Sequence, residues 1–150
     1  MKKIVAALCA LACVPAIAAD KWIIGGSSTS FATAFDLSSI ETEGDVNGTW
    51  VVDVYAKPAN GFDYVVSWEQ VNCKTKKTRS TDVSGRAFGK GTIKRFGNTD
   101  WERVEPGSVG EALLNRVRKK EQGLILGDFD TIEDAAEATR EASVALEFWK

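Results

Sequence analysis

Short stretches of alternating apolar and polar residues occupy the middle of the chain and predict β-strands. Six of them are rich in β-branched and aromatic residues, which are typical of strands: 21–26, 31–37, 49–57, 63–73, 77–85 and 91–96. Turn sequences that contain glycine, asparagine or proline separate most of them. Because these connections are short, the pattern predicts a six-stranded antiparallel β-meander.

The alternation also predicts how the strands face the core. In the third stretch, apolar residues at every second position favour a sheet with one buried face. The fourth stretch departs from this pattern. One face carries Tyr64, Val66 and Trp68, whereas Val71 and Cys73 fall on the other. A β-bulge near Glu69 would return all of them to one face, and the pattern alone leaves both arrangements open.

Beyond residue 105 the apolar period becomes that of a helix. Ser108 and Glu111 form a capping-box pattern, and an apolar stripe follows at Val109, Ala112, Leu113 and Val117. A second helix is predicted from about Ile132 to Phe148, capped by Asp130 or Thr131. Its alanine-rich stripe predicts close packing, and consists of Ile132, Ala135, Ala138, Ala142, Ala145, Leu146 and Trp149. The predicted fold class is α+β, with one helix on a face of the sheet and the second helix as an extension.

The N-terminus has the layout of an export signal. Two lysines precede an uncharged apolar run over 4–14, and Ala16-Ile17-Ala18 provides small residues for cleavage. The run is too short to cross a bilayer, which needs about 20 residues. We therefore predict a cleaved signal peptide over 1–19, a β-sheet and helix domain over 20–120 and a helical extension over 121–150. The alternative is a lipid anchor at Cys13. With either a cleaved or a lipid-anchored N-terminus, the short lysine-containing start "MKK" is typical of bacterial export. The expected location is therefore the periplasm or the cell surface.

Charge restricts the partners. The whole chain has a formal charge of −2, and loss of Lys2 and Lys3 with the signal peptide makes it −4. This balance argues against nucleic acid as a main partner. No later segment predicts a membrane span. The dense basic segment 74–79 offers Lys74, Lys76, Lys77 and Arg79 as ligand-binding residues for an anionic glycan, a phospholipid or a carboxylate-rich protein surface. The alternative is a solvated hairpin loop.

The residue types also restrict the chemistry. The chain has no histidine, which removes Ser-His and Cys-His catalysis and histidine-based metal sites. The acidic segment 127–134 lacks the glycine and the fifth-position ligand of an EF-hand. We expect no cofactor, no metal and no enzymatic activity. Signal cleavage would remove Cys9 and Cys13, so we predict a reduced structural thiol at Cys73. The alternative is an intermolecular disulfide.

Four segments together resemble a known family. They are "KWIIGGSS" at 21–28, "FDLSSI" at 35–40, a long hairpin that ends in a strand cysteine, and "WERVEPGSVGEALLNRV" at 101–117. This combination resembles the surface-adhesin protein E family of bacterial envelope proteins. The resemblance implies an antiparallel sheet with a C-terminal helix on its concave side, and adhesion through host matrix or serum proteins.

The chain departs from that family in one respect. The family pattern ends its helix in a second cysteine, which would clamp the helix to the strand cysteine, and Arg118 stands there in this chain. Residues 119–150 lie outside the pattern. The resulting hypothesis is a non-enzymatic, exported protein-binding module of the cell envelope. The alternative is a periplasmic structural or accessory protein that binds another envelope component.

Overall fold

An antiparallel sheet with one helix on each side makes up the part of the chain that the structure describes. The computed structural model describes residues 21–119 and 124–149. The strands in this part of the chain are β1 Lys21–Ser27, β2 Phe31–Asp36, β3 Glu41–Glu43, β4 Val46–Ala59, β5 Phe62–Asn72, β6 Lys77–Ala87, β7 Gly91–Arg95, β8 Glu102–Arg103 and β9 Leu124–Asp128. The helices are α1 Val109–Lys119 and α2 Ile132–Ala145. The predicted α+β class is confirmed.

The predicted meander accounts for most of the sheet, but six strands is too few. The described residues form a nine-stranded sheet in the order β7-β6-β5-β4-β2-β1-β9, with β3 beside β4 and β8 beside β6. The three strands without a prediction have only two to five residues each. Such short strands depend on the neighbour with which they pair, and alternation has too few positions to reveal them.

The turn between β2 and β3 shows why the "DLSSI" segment is so specific. Asp36 is buried, and its Oδ1 accepts hydrogen bonds from the backbone N–H of Ser38 at 2.9 Å and from the Ser38 hydroxyl at 2.5 Å. The Ser39 hydroxyl lies 3.0 Å from the Thr49 hydroxyl on β4. These side chains fix the turn against the sheet, so this motif has a structural role.

The prediction of one buried face is wrong, because a helix covers each side of the sheet. On the side of α2 the core contains Trp22, Ala34, Val52, Val54, Tyr64 and Val66, with Ala135 and Ala136 of the helix. On the side of α1 it contains Ile23, Phe35, Val51 and Val71, with Leu113 and Leu114 of the helix. A strand that is buried on both faces loses the simple alternation expected when one face meets water.

Of the two arrangements that the pattern left open for β5, the one without a bulge near Glu69 is present. The β4–β5 register runs without interruption from the Val46–Asn72 pair to the Val54–Tyr64 pair. The β5–β6 register does shift, between Val66 and Trp68, and the one extra residue lies on β6. Val71 therefore stays on the α1 side, where it packs in the core with Leu113.

Helix α1 begins where its capping pattern predicts. The Ser108 hydroxyl accepts a hydrogen bond from the Glu111 N–H at 3.2 Å, and the Glu111 carboxylate accepts one from Gly107 N–H at 2.7 Å. Leu113 is 2 % exposed against the sheet. Arg116 donates to the carbonyl of Ile24 on β1 at 3.1 Å. Helix and sheet are thus joined by apolar packing and by a charged hydrogen bond.

Helix α2 packs through a different stripe from the one predicted. Its cap is Thr131, whose hydroxyl accepts a hydrogen bond from the Asp134 N–H. The buried residues are Ala135, Ala136, Thr139 and Ser143, whereas Ala145 and Leu146 are exposed. The Thr139 and Ser143 hydroxyls donate to the carbonyls four residues earlier, each at 2.7 Å. Because each hydroxyl is hydrogen-bonded within its own helix, Thr139 and Ser143 are tolerated in the core. The buried stripe is therefore rotated around the helix relative to the predicted one.

Three predictions at the termini fall outside the described residues. They are the signal peptide over 1–19, its cleavage site and the alternative lipid anchor at Cys13. Across the described ranges, none of the helices has the length and apolar character needed to cross a membrane. After residue 123, β9 pairs with β1 and so belongs to the same sheet as the other strands.

Candidate functional site

The basic turn, defined as Lys74, Lys76 and Lys77, connects β5 to β6 at one end of the sheet. The Asn72 side-chain carbonyl accepts hydrogen bonds from the N–H groups of Lys74 at 3.0 Å and Thr75 at 2.8 Å. Lys76 has a φ of 54°, in the left-handed region that a tight turn requires. The backbone is held locally while all three lysine side chains are exposed.

A second segment adds a charge that the sequence did not reveal. Strand β8 pairs with the start of β6, so that Arg103 lies opposite Lys77. The N–H of Val104 also donates to the Lys76 carbonyl at 3.0 Å. Arg103 is exposed and is 26 positions from Lys77 in the chain. Only the β6–β8 pairing brings the two cations together, and this pairing is too short to leave a sequence signal.

Arg79 does not belong to the basic turn, although the sequence groups it with the three lysines. It is half-buried, its Nε donates to the Gln70 side-chain carbonyl at 2.6 Å, and its guanidinium lies 4.6 Å from the centre of the Trp101 ring. Such stacking is favourable for a guanidinium. The structure thus brings together the three lysines and places Arg79 on a neighbouring surface.

That neighbouring surface is the side of β5 and β6 that faces away from α1. Helix α2 packs on the same side of the sheet, mainly against β1, β2, β4 and β9. We define the tryptophan–arginine face by the aromatic and basic residues of this surface: Trp50, Trp68, Arg79, Arg86, Arg95 and Trp101. The three indoles and the first two arginines are half-buried, and Arg95 is exposed. These six residues are scattered from 50 to 101 in the sequence, and only the strand register groups them on one surface.

The centre of this face is rigidly built. The Trp50 and Trp68 rings meet edge to face, with centroids 5.4 Å apart and an interplanar angle of 73°. Trp68 lies across Gly48, where an added Cβ would come within 2.6 Å of the indole. Gly48 thus allows the ring to lie flat on the strand. Beside Trp50 is a cleft of about 450 Å³ whose walls include Ser84, Arg86 and Arg95.

Cys73 lies on the opposite side of the sheet, away from the tryptophan–arginine face. It is half-buried and packs at the edge of the α1-side core. Its Sγ accepts a hydrogen bond from the Asn47 side-chain N–H at 3.3 Å. This location agrees with a thiol covered by the first helix, while its reduced state stays a prediction. Arg118 falls within the last turn of α1.

Asp53 and Glu69 lie in a cleft of about 620 Å³ between the sheet and the N-terminal end of α1, whose lining also includes Glu102, Arg103 and Glu105. Burial raises the pKa of Asp53 to about 6; the hydrogen bond from Thr33 opposes this shift, and the charge of Glu69 adds to it. Burial likewise raises the pKa of Glu69, against the hydrogen bonds from Ser80 and Ser67. Sequence reasoning did not single out these acids, because they stand in ordinary strand positions and are brought together by the register.

Neither carboxylate stands in a cluster that suits a metal ion. In the ranges that the structure describes, no group of three or more cysteine, aspartate or glutamate side chains is arranged to hold one. Asp53 is instead held by the Thr33 hydroxyl at 2.5 Å, and Glu69 by the Ser67 hydroxyl at 2.9 Å. Each of these two carboxylates is thus held by a hydroxyl of the sheet, and these bonds give them a structural role.

Comparison with known proteins gives one match. The chain matches the family described as surface-adhesin protein E over residues 22–117, which is more than half of its length. This range runs from the start of β1 into the last turns of α1 and excludes β9 and α2. No curated protein and no solved structure matches the chain.

Proposed function

Because the chain belongs to the surface-adhesin protein E family, we propose that it is an exported, non-enzymatic module of the bacterial envelope that binds a protein partner. The family description supports adhesion at a surface. We further propose that the partner is a host matrix or serum protein, and that the basic turn contributes to its recognition.

The observation that supports this proposal is that the fold holds the basic turn in place while its three lysines are exposed. Asn72 and β8 hold its backbone, so three exposed ammonium groups project from a fixed position at the end of the sheet. Arg103 adds a positive charge on the adjoining strand, where Glu102 and Glu105 are its acidic neighbours, so the three lysines of the turn carry the charge argument. A fixed cluster of like charges attracts a surface of opposite charge and speeds the encounter with it. The complementary partner surface is rich in carboxylates.

A lysine variant tests the role of the turn. K74A/K76A/K77A in the protein of residues 20–150 should bind immobilised matrix extract or serum proteins about tenfold more weakly than the parent, with less dependence on salt. The matched control, K21A/K57A/K90A, removes three exposed lysines that belong to β1, β4 and the β6–β7 turn, and it should bind like the parent. Equal binding by the turn variant and the parent would remove the turn from recognition.

Location separates this proposal from its alternative, a periplasmic accessory protein. Protease added to intact cells should degrade a surface-exposed protein and leave a periplasmic one untouched. Protection would favour the accessory role, in which the same turn binds another envelope component. A pull-down from envelope extract would then identify that partner.

Export itself has a direct measurement. The protein isolated from its native host should have the mass of a chain that starts at Ala19 or Asp20, because small residues precede this point. A mass that corresponds to a lipid-modified Cys13 would replace cleavage after Ala18 or Ala19 with a membrane anchor.

A further inference from the structure

The tryptophan–arginine face combines two features that the basic turn lacks. It offers aromatic surfaces as well as cations, and its cations are all arginines. It also lies on the flank of the sheet, whereas the turn lies at its end. A ligand of this face is therefore independent of the protein partner proposed for the basic turn.

The positive charge of this face is not cancelled by the hydrogen bonds of its arginines. Arg79 donates to the side-chain carbonyl of Gln70, and Arg86 donates to the Ser84 hydroxyl at 3.2 Å. Both acceptors are neutral. Within the cleft, the two guanidiniums of Arg86 and Arg95 exceed the one carboxylate of Asp82. Outside it, Asp63 and Glu133 also act on Tyr64, the partner of Arg86 in the β5–β6 pairing. The excess within the cleft stands out in a chain whose net charge is −2.

The spacing of the charges indicates an extended ligand. Arg79 and Arg86 lie on the same strand, about seven residues and therefore roughly 20 Å apart. Trp68 pairs with Thr81 between them, and Trp50 lies beside Trp68 on β4. Cations thus occupy both ends of a strip whose centre is aromatic. A single small anion would use only one end of this strip.

The chemistry of the strip fits an acidic polysaccharide. A pyranose ring presents an apolar C–H face that packs on an indole, and its hydroxyls suit the Gln70, Thr81 and Ser84 side chains. The planar guanidinium forms paired hydrogen bonds with a planar carboxylate. A peptide that binds as an added β-strand would need unpaired backbone N–H and C=O groups on the protein. The backbone groups of β5 and β6 are already paired within the sheet.

We propose that the tryptophan–arginine face binds a polysaccharide that contains uronic acid units, with sugar rings on Trp50 and Trp68 and carboxylates on Arg79 and Arg86. The cleft beside Trp50 receives one sugar unit near Arg86 and Arg95. The face thereby gives the protein a second ligand class, separate from the partner of the basic turn.

The test uses polygalacturonate as the probe and the tryptophan fluorescence of the protein of residues 20–150 as the readout. Addition of the polymer should change the fluorescence in a saturable way, and neutral dextran of similar length should not. R79Q/R86Q should weaken binding by about tenfold or more, because each lost guanidinium leaves a carboxylate without its charged partner. The control K21A/K57A/K90A should bind polygalacturonate like the parent.

A second variant keeps the test decisive if the first fails to fold. R95Q changes an exposed residue of the cleft and should weaken binding with an unchanged circular dichroism spectrum. The proposal is overturned by absence of binding, by equal loss in the K21A/K57A/K90A control, or by equal affinity for poly-glutamate or an oligothymidine. Tighter binding of dextran sulfate than of polygalacturonate would also overturn it, because general anion attraction would then explain the result. None of these outcomes bears on the matrix-binding assay.

Discussion

Asp53 shows how a single position in a strand can depend on its surroundings. It lies opposite Thr33 in the β2–β4 pairing, and Thr33 donates a hydrogen bond to its carboxylate. Burial raises its pKa from 3.8 to about 6, in spite of that bond. The folded protein therefore holds a proton on Asp53 in a pH range where the unfolded chain has lost it.

The raised pKa fixes the direction in which the free energy of unfolding changes with pH. Between about pH 4 and pH 6 the folded state binds more protons at this site than the unfolded state, so stability falls as pH rises through that range. Above pH 6 both states are charged and the penalty is constant. D53N keeps an oxygen for Thr33 and removes the charge. It should raise the free energy of unfolding at pH 7.5 by about 1–3 kcal/mol, with little gain at pH 4.

Urea unfolding at both pH values measures this effect. The control D100N neutralises an exposed carboxylate and should stay within about 0.5 kcal/mol of the parent. A destabilised D53N at pH 7.5 would show that the charged carboxylate is needed for the fold, contrary to the raised pKa.

At the scale of elements, the two helices differ in how far their sequences reveal their packing. The stripe of α1 was predictable because Leu113 is both apolar and buried. The stripe of α2 was not, because Thr139 and Ser143 bury hydroxyls that bond to their own helix. Strand β9 and the face of the sheet that α2 covers could not be predicted from the sequence either. Each depends on contacts with distant parts of the chain. The grouping of Trp50, Trp68 and Arg86 likewise follows from register, which no local pattern contains.

The docking of α1 gives a direct prediction. L113A removes a leucine side chain that is 2 % exposed and should lower the free energy of unfolding by about 2–5 kcal/mol, as expected for a cavity in a core. The exposed Leu146 provides a matched control, and L146A should change stability by less than about 0.5 kcal/mol. Similar denaturation midpoints for L113A and the parent would mean that α1 is not docked through this side chain.

The rotated stripe of α2 can be tested by enlarging an alanine. A136L adds volume where the helix meets Val52 and Val54, and overpacking should cost about 1–3 kcal/mol. A145L makes the same change at an exposed position that the sequence had placed in the buried stripe, and it should be nearly neutral. The opposite ranking in a thermal melt would favour the stripe predicted from the sequence.

At the scale of the whole molecule, the C-terminal part completes the sheet that the family match begins. The match ends at residue 117, yet β9 pairs with β1, and α2 covers the core around Trp22. Glu133 of α2 also accepts a hydrogen bond from the Gly89 N–H at 2.6 Å, which ties the helix to the β6–β7 turn. The predicted division into a domain over 20–120 and an extension over 121–150 therefore has a measurable consequence.

A chain that ends at Lys119 should expose the side of the sheet that α2 covers. Trp22, Val52 and Val54 are buried there, and together they would form a large apolar surface. We expect this truncated protein to bind a hydrophobic dye such as ANS and to aggregate at concentrations where the protein of residues 20–150 stays monodisperse. A truncated protein with native near-ultraviolet circular dichroism and no dye binding would show that the family-matched part folds independently.

The course of α2 along the sheet decides how the protein is best attached to a sensor surface. The helix starts near Asp128, which pairs with Lys21, and its far end brings Trp149 beside Thr29, Ser30 and Tyr55 around a cavity of about 730 Å³. The register places this cavity at the end of the sheet opposite the basic turn. Immobilisation through a C-terminal tag therefore presents the three lysines to the solution, whereas an N-terminal tag at Lys21 emerges from the same end of the sheet as the turn.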